Sequence, residues 1–331
     1  MPAFRFAATR RALVTAALCA PLIAAAQGAY PSRPITMIVP QAPGGTNDIV
    51  GRTVSQKLAE VLGASVVVDN RPGAGGNIGT QLAAKAPKDG YTLLLTISSS
   101  QAINPALYKN PGFDPVKDFR PITLVGAVPN VLLVNPDFAA KTLPELIALA
   151  KAKPNEYQFA SAGNGTLNHL LGEMLNSMAG IQLQHVPYKG VAPAMNDVLG
   201  GQLPILFGSL PSALSHIKAG KLRALGVSGA ARSPVLPEVP AIGEVVKGYN
   251  GTLWIGLFAP AGVPADVAAK LEAGMAKALA SRDLRDKLEQ QGVEIAGTPT
   301  QPVSGDQFAK VLQEDIAKWA RIVKASGATV D

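Results

Sequence analysis

Two glycine-rich loops carry the chemistry this chain is equipped to do. The first runs Val39-Pro40-Gln41-Ala42-Pro43-Gly44-Gly45-Thr46-Asn47-Asp48, and the second Ala160-Ser161-Ala162-Gly163-Asn164-Gly165-Thr166-Leu167-Asn168-His169. Each lies between a short apolar run and a helical pattern, so each marks a helix start. A helix start presents unpaired backbone N–H groups and a partial positive charge. Glycine there lets a ligand reach the main chain without meeting a Cβ. Neither loop contains Lys or Arg, so an anion would be met by dipoles. Two such starts, one in each half of the chain, fit binding rather than catalysis.

Other chemistry finds little support. The chain has no Gly-x-Ser-x-Gly elbow, no phosphate loop ending in Gly-Lys-Ser/Thr and no His-Glu-x-x-His helix. The histidines, His169, His185 and His216, fall on three separate elements with no carboxylate at metal-ligand spacing. No catalytic residue, metal or cofactor is expected. Gly73-Ala74-Gly75-Gly76-Asn77-Ile78-Gly79 imitates a dinucleotide fingerprint, but its spacing is off by one residue and Arg71-Pro72 interrupts the strand-to-helix passage. It reads as a tight turn feeding a helix at a pocket rim.

The elements that position these loops follow from periodicity. Strand candidates are 35–39, 66–69, 91–96, 131–135, 157–160, 183–186, 205–207, 222–227 and 254–259. Helical spacing places Val50, Val54, Leu58 and Val61 on one face of 48–62, and Leu170, Leu171, Met174, Leu175 and Met178 on one face of 167–178. The two methionines read as core. Thr142 precedes Glu145 at capping-box spacing with Pro144 in the first turn, opening a helix over 141–154. Two long helices are expected over 265–280 and 305–325. Strand–helix alternation argues for an α/β fold with parallel sheets. Pro234, Pro237 and Pro240 mark a loop suited to a return crossing between domains.

The first 26 residues read as a signal peptide. Arg5, Arg10 and Arg11 form a basic head, Ala12 to Ala25 an apolar stretch, and Ala24-Ala25-Ala26 a cleavage site before Gln27. Whether export runs by the general or the twin-arginine route is left open. Removal takes Cys19, the sole cysteine, so disulfides, Cys-ligated zinc and a thiol nucleophile are excluded together. The formal charge falls from +7 to +4, and the remaining basic residues are scattered. That is a mixed solvated surface, not a nucleic-acid footprint. The mature chain is long enough for two domains with their own cores.

At these motifs the chain resembles the Bug family, the extracytoplasmic solute receptors of the tripartite tricarboxylate transporter class. The matching segments run from Tyr30 to the C-terminus. They are Pro40-Gln41-Ala42-Pro43-Gly44-Gly45 with Asp48 and Arg52, Asp69 to Gly79, Asp89-Gly90-Tyr91-Thr92-Leu93 and Ala102-Ile103-Asn104-Pro105. Asp114-Pro115 with Asp118-Phe119, the second glycine loop with His169-Leu170, His185 to Gly190, Leu210 to Leu214, and Ala219 to Leu225 follow in the same order.

The resemblance implies a type II-like periplasmic-binding-protein fold: two α/β domains with a ligand cleft between them. On this sequence the domains would be 27–127 plus 231–331, and 128–230. It implies a periplasmic receptor, not an enzyme. Such a receptor captures a small organic carboxylate and delivers it, as a monomer, to the membrane subunits of a tripartite-type transporter. A periplasmic sensor feeding a signalling system is the alternative, and an enzyme using the loops as an oxyanion site a further one.

One ligand carboxylate would sit between Pro43, Gly44, Gly45, Thr46 and Asp48 of the first loop and Ser161, Ala162, Gly163, Asn164, Gly165, Thr166 and His169 of the second. Asp48 reads more simply as a cap paired with Arg52 at i, i+4, a ligand contact being the alternative. Gln41, Ser98, Ser99, Asn104, Lys189, Ser209 and Trp254 are candidates for the far end of the ligand, with Trp254 equally readable as a buried strand residue. The chain departs from the family at Gln41, Leu167-Asn168 and Gly208-Ser209. The last pair lacks a carboxylate that an amino-acid ligand would want, and leaves di- and tricarboxylates and aromatic acids open.

Overall fold

The computed structural model describes residues 30–326. The signal-peptide reading lies outside these residues. The first elements are β1 (Ile35–Val39), α1 (Thr46–Leu62), β2 (Val66–Asn70), α2 (Asn77–Ala84), β3 (Thr92–Ile97), α3 (Asn104–Leu107) and β4 (Phe119–Val134). Next come α4 (Leu143–Ala152), β5 (Gln158–Ser161), α5 (Leu167–Ala179), β6 (Gln184–Pro187), α6 (Val191–Leu199), β7 (Ile205–Ser209), α7 (Leu210–Lys218) and β8 (Arg223–Val227). The chain ends with α8 (Ile242–Val245), β9 (Thr252–Pro260), α9 (Ala265–Ala280), α10 (Arg282–Gln290), β10 (Glu294–Ile295) and α11 (Gly305–Ser326).

The strands run in the order β2-β1-β3-β9-β4-β7-β5-β6, with β8 and β10 also pairing with β4. The long strand β4 joins the two lobes of this α/β fold. Its residues up to Pro129 pair with β9, and those from Asn130 pair with β7 and, from Val131, with β8. The expectation of parallel sheets needs correction. β1, β2 and β3 are parallel, as are β5, β6 and β7, but β4 and β9 run antiparallel to their neighbours. The chain crosses from one lobe to the other and returns, so these strands run against the βαβ units.

The two crossings are tied together. Ser228 N–H donates to Asn130 O at 2.8 Å, and Asn130 N–H donates to Ser228 Oγ at 2.8 Å. The Ser228 hydroxyl in turn donates to Gly251 O at 2.6 Å.

Apolar faces dock as periodicity demands. Val50, Val54 and Leu58 of α1 are fully buried. On its inner side Gly51 lets the helix lie close to the sheet, since a Cβ there would stand 3.1 Å from Leu95 and 3.2 Å from Val39. On α5, Leu171 and Leu175 are buried and Met174 is partly so, but Met178 is 41% exposed. Met178 therefore departs from the core reading, because it lies at the end of the helix beyond the sheet's cover. Thr142 caps α4 by accepting from Glu145 N–H, while the Glu145 carboxylate accepts from Lys141 N–H at 2.7 Å, one residue before the cap.

Candidate functional site

Both glycine loops open onto one cavity of about 680 Å³ between the lobes. The first leaves β1 and enters α1 at the cap residue Gly45, whose side supplies no capping group. The N–H groups of Thr46, Asn47 and Asp48 carry no hydrogen bond among the described residues. Asp48 turns away from the cavity. One of its oxygens accepts from Gly44 N–H at 2.9 Å, and the other pairs with Arg52 at 2.9 Å. Burial pushes its carboxyl up, but Arg52, the Gly44 N–H and Asn70 outweigh that and hold it below the usual carboxylate range.

The second loop leaves β5 and enters α5 at Thr166, whose hydroxyl accepts from His169 N–H. Several of its own donors are already used. Gly163 N–H donates to Ser161 Oγ at 3.1 Å, Gly165 N–H to His169 Nδ1 at 3.1 Å, and Leu167 N–H to Ser99 Oγ at 3.1 Å across the cleft. The N–H groups of Asn164 and Asn168 remain without a partner among the described residues.

Five helix starts, not two, meet this cavity. The cap residues of α1, α2, α5, α6 and α7, namely Gly45, Gly76, Thr166, Gly190 and Ser209, all line it. Gly76 and Gly190 have φ of 100° and 126°, a region that disfavours any side chain. Each start contributes roughly 0.3–1 kcal/mol to an anion, up to ~2 when partly buried. Among the described residues Lys189 is the sole Lys or Arg in the lining, and no Asp or Glu is there. Among the described residues no cluster of three or more His, Cys, Asp or Glu could hold a metal ion.

Of the candidates, Gln41, Gly45, Thr46, Ser99, Ala162, Gly163, Asn164, Thr166, Lys189 and Ser209 line the cavity together. Thr46 and Ser209 also bridge the lobes, their hydroxyls in contact with each other and each 3.1 Å from Ser212 Oγ. Pro43, Gly44, Asp48, Ser98, Asn104, Ser161, Gly165, His169 and Trp254 fall outside the lining. Gly44 and Asp48 shape the first loop from behind. Ser98 is buried at the end of β3. Asn104 holds the Gly73–Gly76 turn, donating to Gly75 O at 3.1 Å and to Asn77 Oδ1 at 2.6 Å. Trp254 takes the second of its two readings, the buried strand residue: its indole donates to Asp315 at 2.7 Å and packs edge-on to Phe308. Successive strand residues face opposite ways, so Leu253 lines the cavity and Trp254 the far side of the sheet.

Sequence reasoning missed Asn47 and Asn168, each within the first turn of its helix, and the walls formed by Ile97, Tyr108, Val191 and Leu253. The position beside the loops was a usable signal for the asparagines. The walls come from distant elements and had none.

Behind the second loop sits a histidine pair. His169 and His185 stack with centroids 4.0 Å apart, and His185 Nε2 is 2.6 Å from Ser161 Oγ. Burial, then the neighbouring His169, push His185 down to about 3, and burial lowers His169 too. Both rings are therefore neutral in the folded protein near pH 7. Below their ordinary value of 6.5 the unfolded chain binds protons that the folded pair refuses. Stability from this pair is present above pH 6.5 and falls progressively as pH drops toward the depressed values. The melting temperature is expected to fall as pH drops from 6.5 toward about 3, and less steeply in His185→Gln; identical slopes would contradict this.

The family model described as tripartite tricarboxylate transporter family receptor matches residues 50–328. The chain belongs to this receptor family. Among solved structures, that of the periplasmic binding protein BugD is 36% identical, covers 91% of this chain and 99% of its own, and superposes with a TM-score of 0.85. A Rhodopseudomonas palustris family relative solved with adipate is 33% identical, with 91% and 100% coverage and a TM-score of 0.86. MatC from the same organism, with bound malate, is 31% identical, with 89% and 100% coverage and a TM-score of 0.82. These structures share the α/β fold of this chain, that of a periplasmic binding protein.

Proposed function

We propose that this protein is a periplasmic receptor that captures a small organic carboxylate between its lobes and hands it to the membrane subunits of a tripartite-type transporter. The observation that carries the reading is the convergence, among the described residues, of five helix N-termini on one cleft whose lining holds no acidic residue. Adipate and malate, held by two relatives, are both carboxylates. One ligand carboxylate would accept from the free N–H groups of Thr46 and Asn47 in one lobe and of Asn164 in the other. Such charge-assisted bonds are roughly twice as strong as neutral ones.

On the domain bounds expected from the sequence, 27–127 plus 231–331 and 128–230, the hinges would lie where β4 passes Pro129-Asn130 and where the chain returns near Ser228. Closure would then be a hinge motion favoured by contacts that only the closed form makes with the ligand. Ser161, Gly165 and His169 would act by holding the second loop in shape, and Gly44 and Asp48 by holding the first.

Native mass spectrometry of the protein purified without added ligand tests this. A co-purifying small organic acid, released on denaturation, is the expected result. A co-purifying sugar, nucleotide or peptide would contradict it.

A further inference from the structure

The cavity's own chemistry narrows the carboxylate further. Among the described residues its lining contains no Asp or Glu. The nearby acids are committed elsewhere: Asp48 to Gly44 N–H and Arg52, and Asp197 to the Tyr188 hydroxyl at 2.5 Å. An ammonium group brought into this cleft would meet positive helix ends and find no counter-charge, which makes its desolvation costly.

Most polar side chains of the lining are also already paired within the protein, the exceptions including the Asn47 carbonyl oxygen, buried without a partner among the described residues, and the Asn164 amide. Asn47 Nδ2 donates to Leu95 O at 2.8 Å and to Gln41 Oε1 at 2.5 Å. Asn168 Nδ2 donates to Asn130 Oδ1 at 2.6 Å and to Phe207 O at 3.0 Å. Ser99 Oγ accepts from Leu167 N–H, Thr166 Oγ1 donates to Gly163 O, and the Thr46 and Ser209 hydroxyls face each other. A ligand rich in hydroxyls would lose water and gain few replacements. What the cavity does offer beyond the loops is apolar wall, from Ile97, Tyr108, Val191 and Leu253, with Lys189 as a single cation.

We infer that the ligand is an acid with an apolar body, an alkyl or aromatic carboxylate that bears no amine and few hydroxyls. This rests on the carboxylate reading proposed above. The free N–H groups at the helix starts take the carboxylate, and the apolar side chains of Ile97, Val191 and Leu253, with the ring of Tyr108, cover the body. A second carboxylate, where the ligand has one, meets Lys189. Each methylene buried against the wall tightens binding about fourfold.

Calorimetric titration with benzoate, adipate, 2-aminoadipate, tartrate and citrate tests the inference. Benzoate or adipate is expected to bind at least 100-fold more tightly than 2-aminoadipate and tartrate. Leu253→Asn should weaken that acid while leaving tartrate unchanged. Preferential binding of 2-aminoadipate, tartrate or citrate would overturn the apolar-body inference and leave the carboxylate reading standing. Silence across the whole panel would overturn both.

Discussion

A carboxylate that binds this protein, supplied at 100 times its dissociation constant, raises the unfolding free energy by about 2.7 kcal/mol, and its primary amide does not. For a chain of this length that is a rise of roughly 4 °C in melting temperature. The contrast follows from how the cleft is built. Among the described residues Lys189 is the only basic side chain lining it, so the charge of the ligand is met chiefly by helix starts whose first N–H groups lack partners. The amide has nearly the same size and shape but no net charge. It loses both the dipole attraction and the charge-assisted part of each hydrogen bond. Differential scanning fluorimetry on matched acid and amide pairs measures this directly. Equal shifts from both members of a pair would show that shape, not charge, is recognised.

Gly45→Leu is expected to abolish the ligand-induced shift while the unliganded protein melts within a few degrees of the wild type. Gly45 caps α1 with φ −78°, an ordinary backbone region, so a side chain brings no conformational strain. Replacing glycine at a cap by a poor capping residue costs about 1 kcal/mol or less. The added Cβ would lie 3.3 Å from Ala42 O and 3.7 Å from Val191 Cγ1, which places the leucine in the gap between the lobes. Gly163 offers a less direct test. Its φ of 129° and a Cβ only 2.9 Å from Tyr188 O mean that substitution strains the loop as well as filling the site. A Gly45→Leu protein that keeps its full shift would remove the first loop from the site.

Much of the architecture was legible in the sequence, for reasons that also explain what was not. β1 and α9 fall on their expected bounds because their apolar periodicity is clean and their ends carry Pro or Ser. The first part of β4 was not among the expected strands, which began here at Val131; the strand carries Pro121 at a register shift, where the missing N–H matters little. Short helices such as α6 and α7 begin at Gly190 and Ser209 without a side-chain cap, so the capping rules had nothing to find.

The candidate site divides the same way. Its two loops were visible because glycine, hydroxyl and helix pattern coincide locally. The other three helix starts join them only through pairings between distant strands. The histidines were visible, but their stacking across α5 and β6, which places them behind the loop and not in the cleft, is a tertiary fact. The two readings of Trp254 could not be separated without the strand's parity, since a shift of one residue on β9 exchanges cavity for core.

The central claim is that main-chain amides at opposed helix starts hold the negative charge. Amide proton and nitrogen shifts, followed by NMR during titration with the tightest-binding acid from the panel, test it most directly. The account predicts the largest downfield amide proton shifts at Thr46, Asn47 and Asn164 in both lobes, absent with the corresponding amide. Shifts centred on Lys189 alone, with those three amides unmoved, would contradict it.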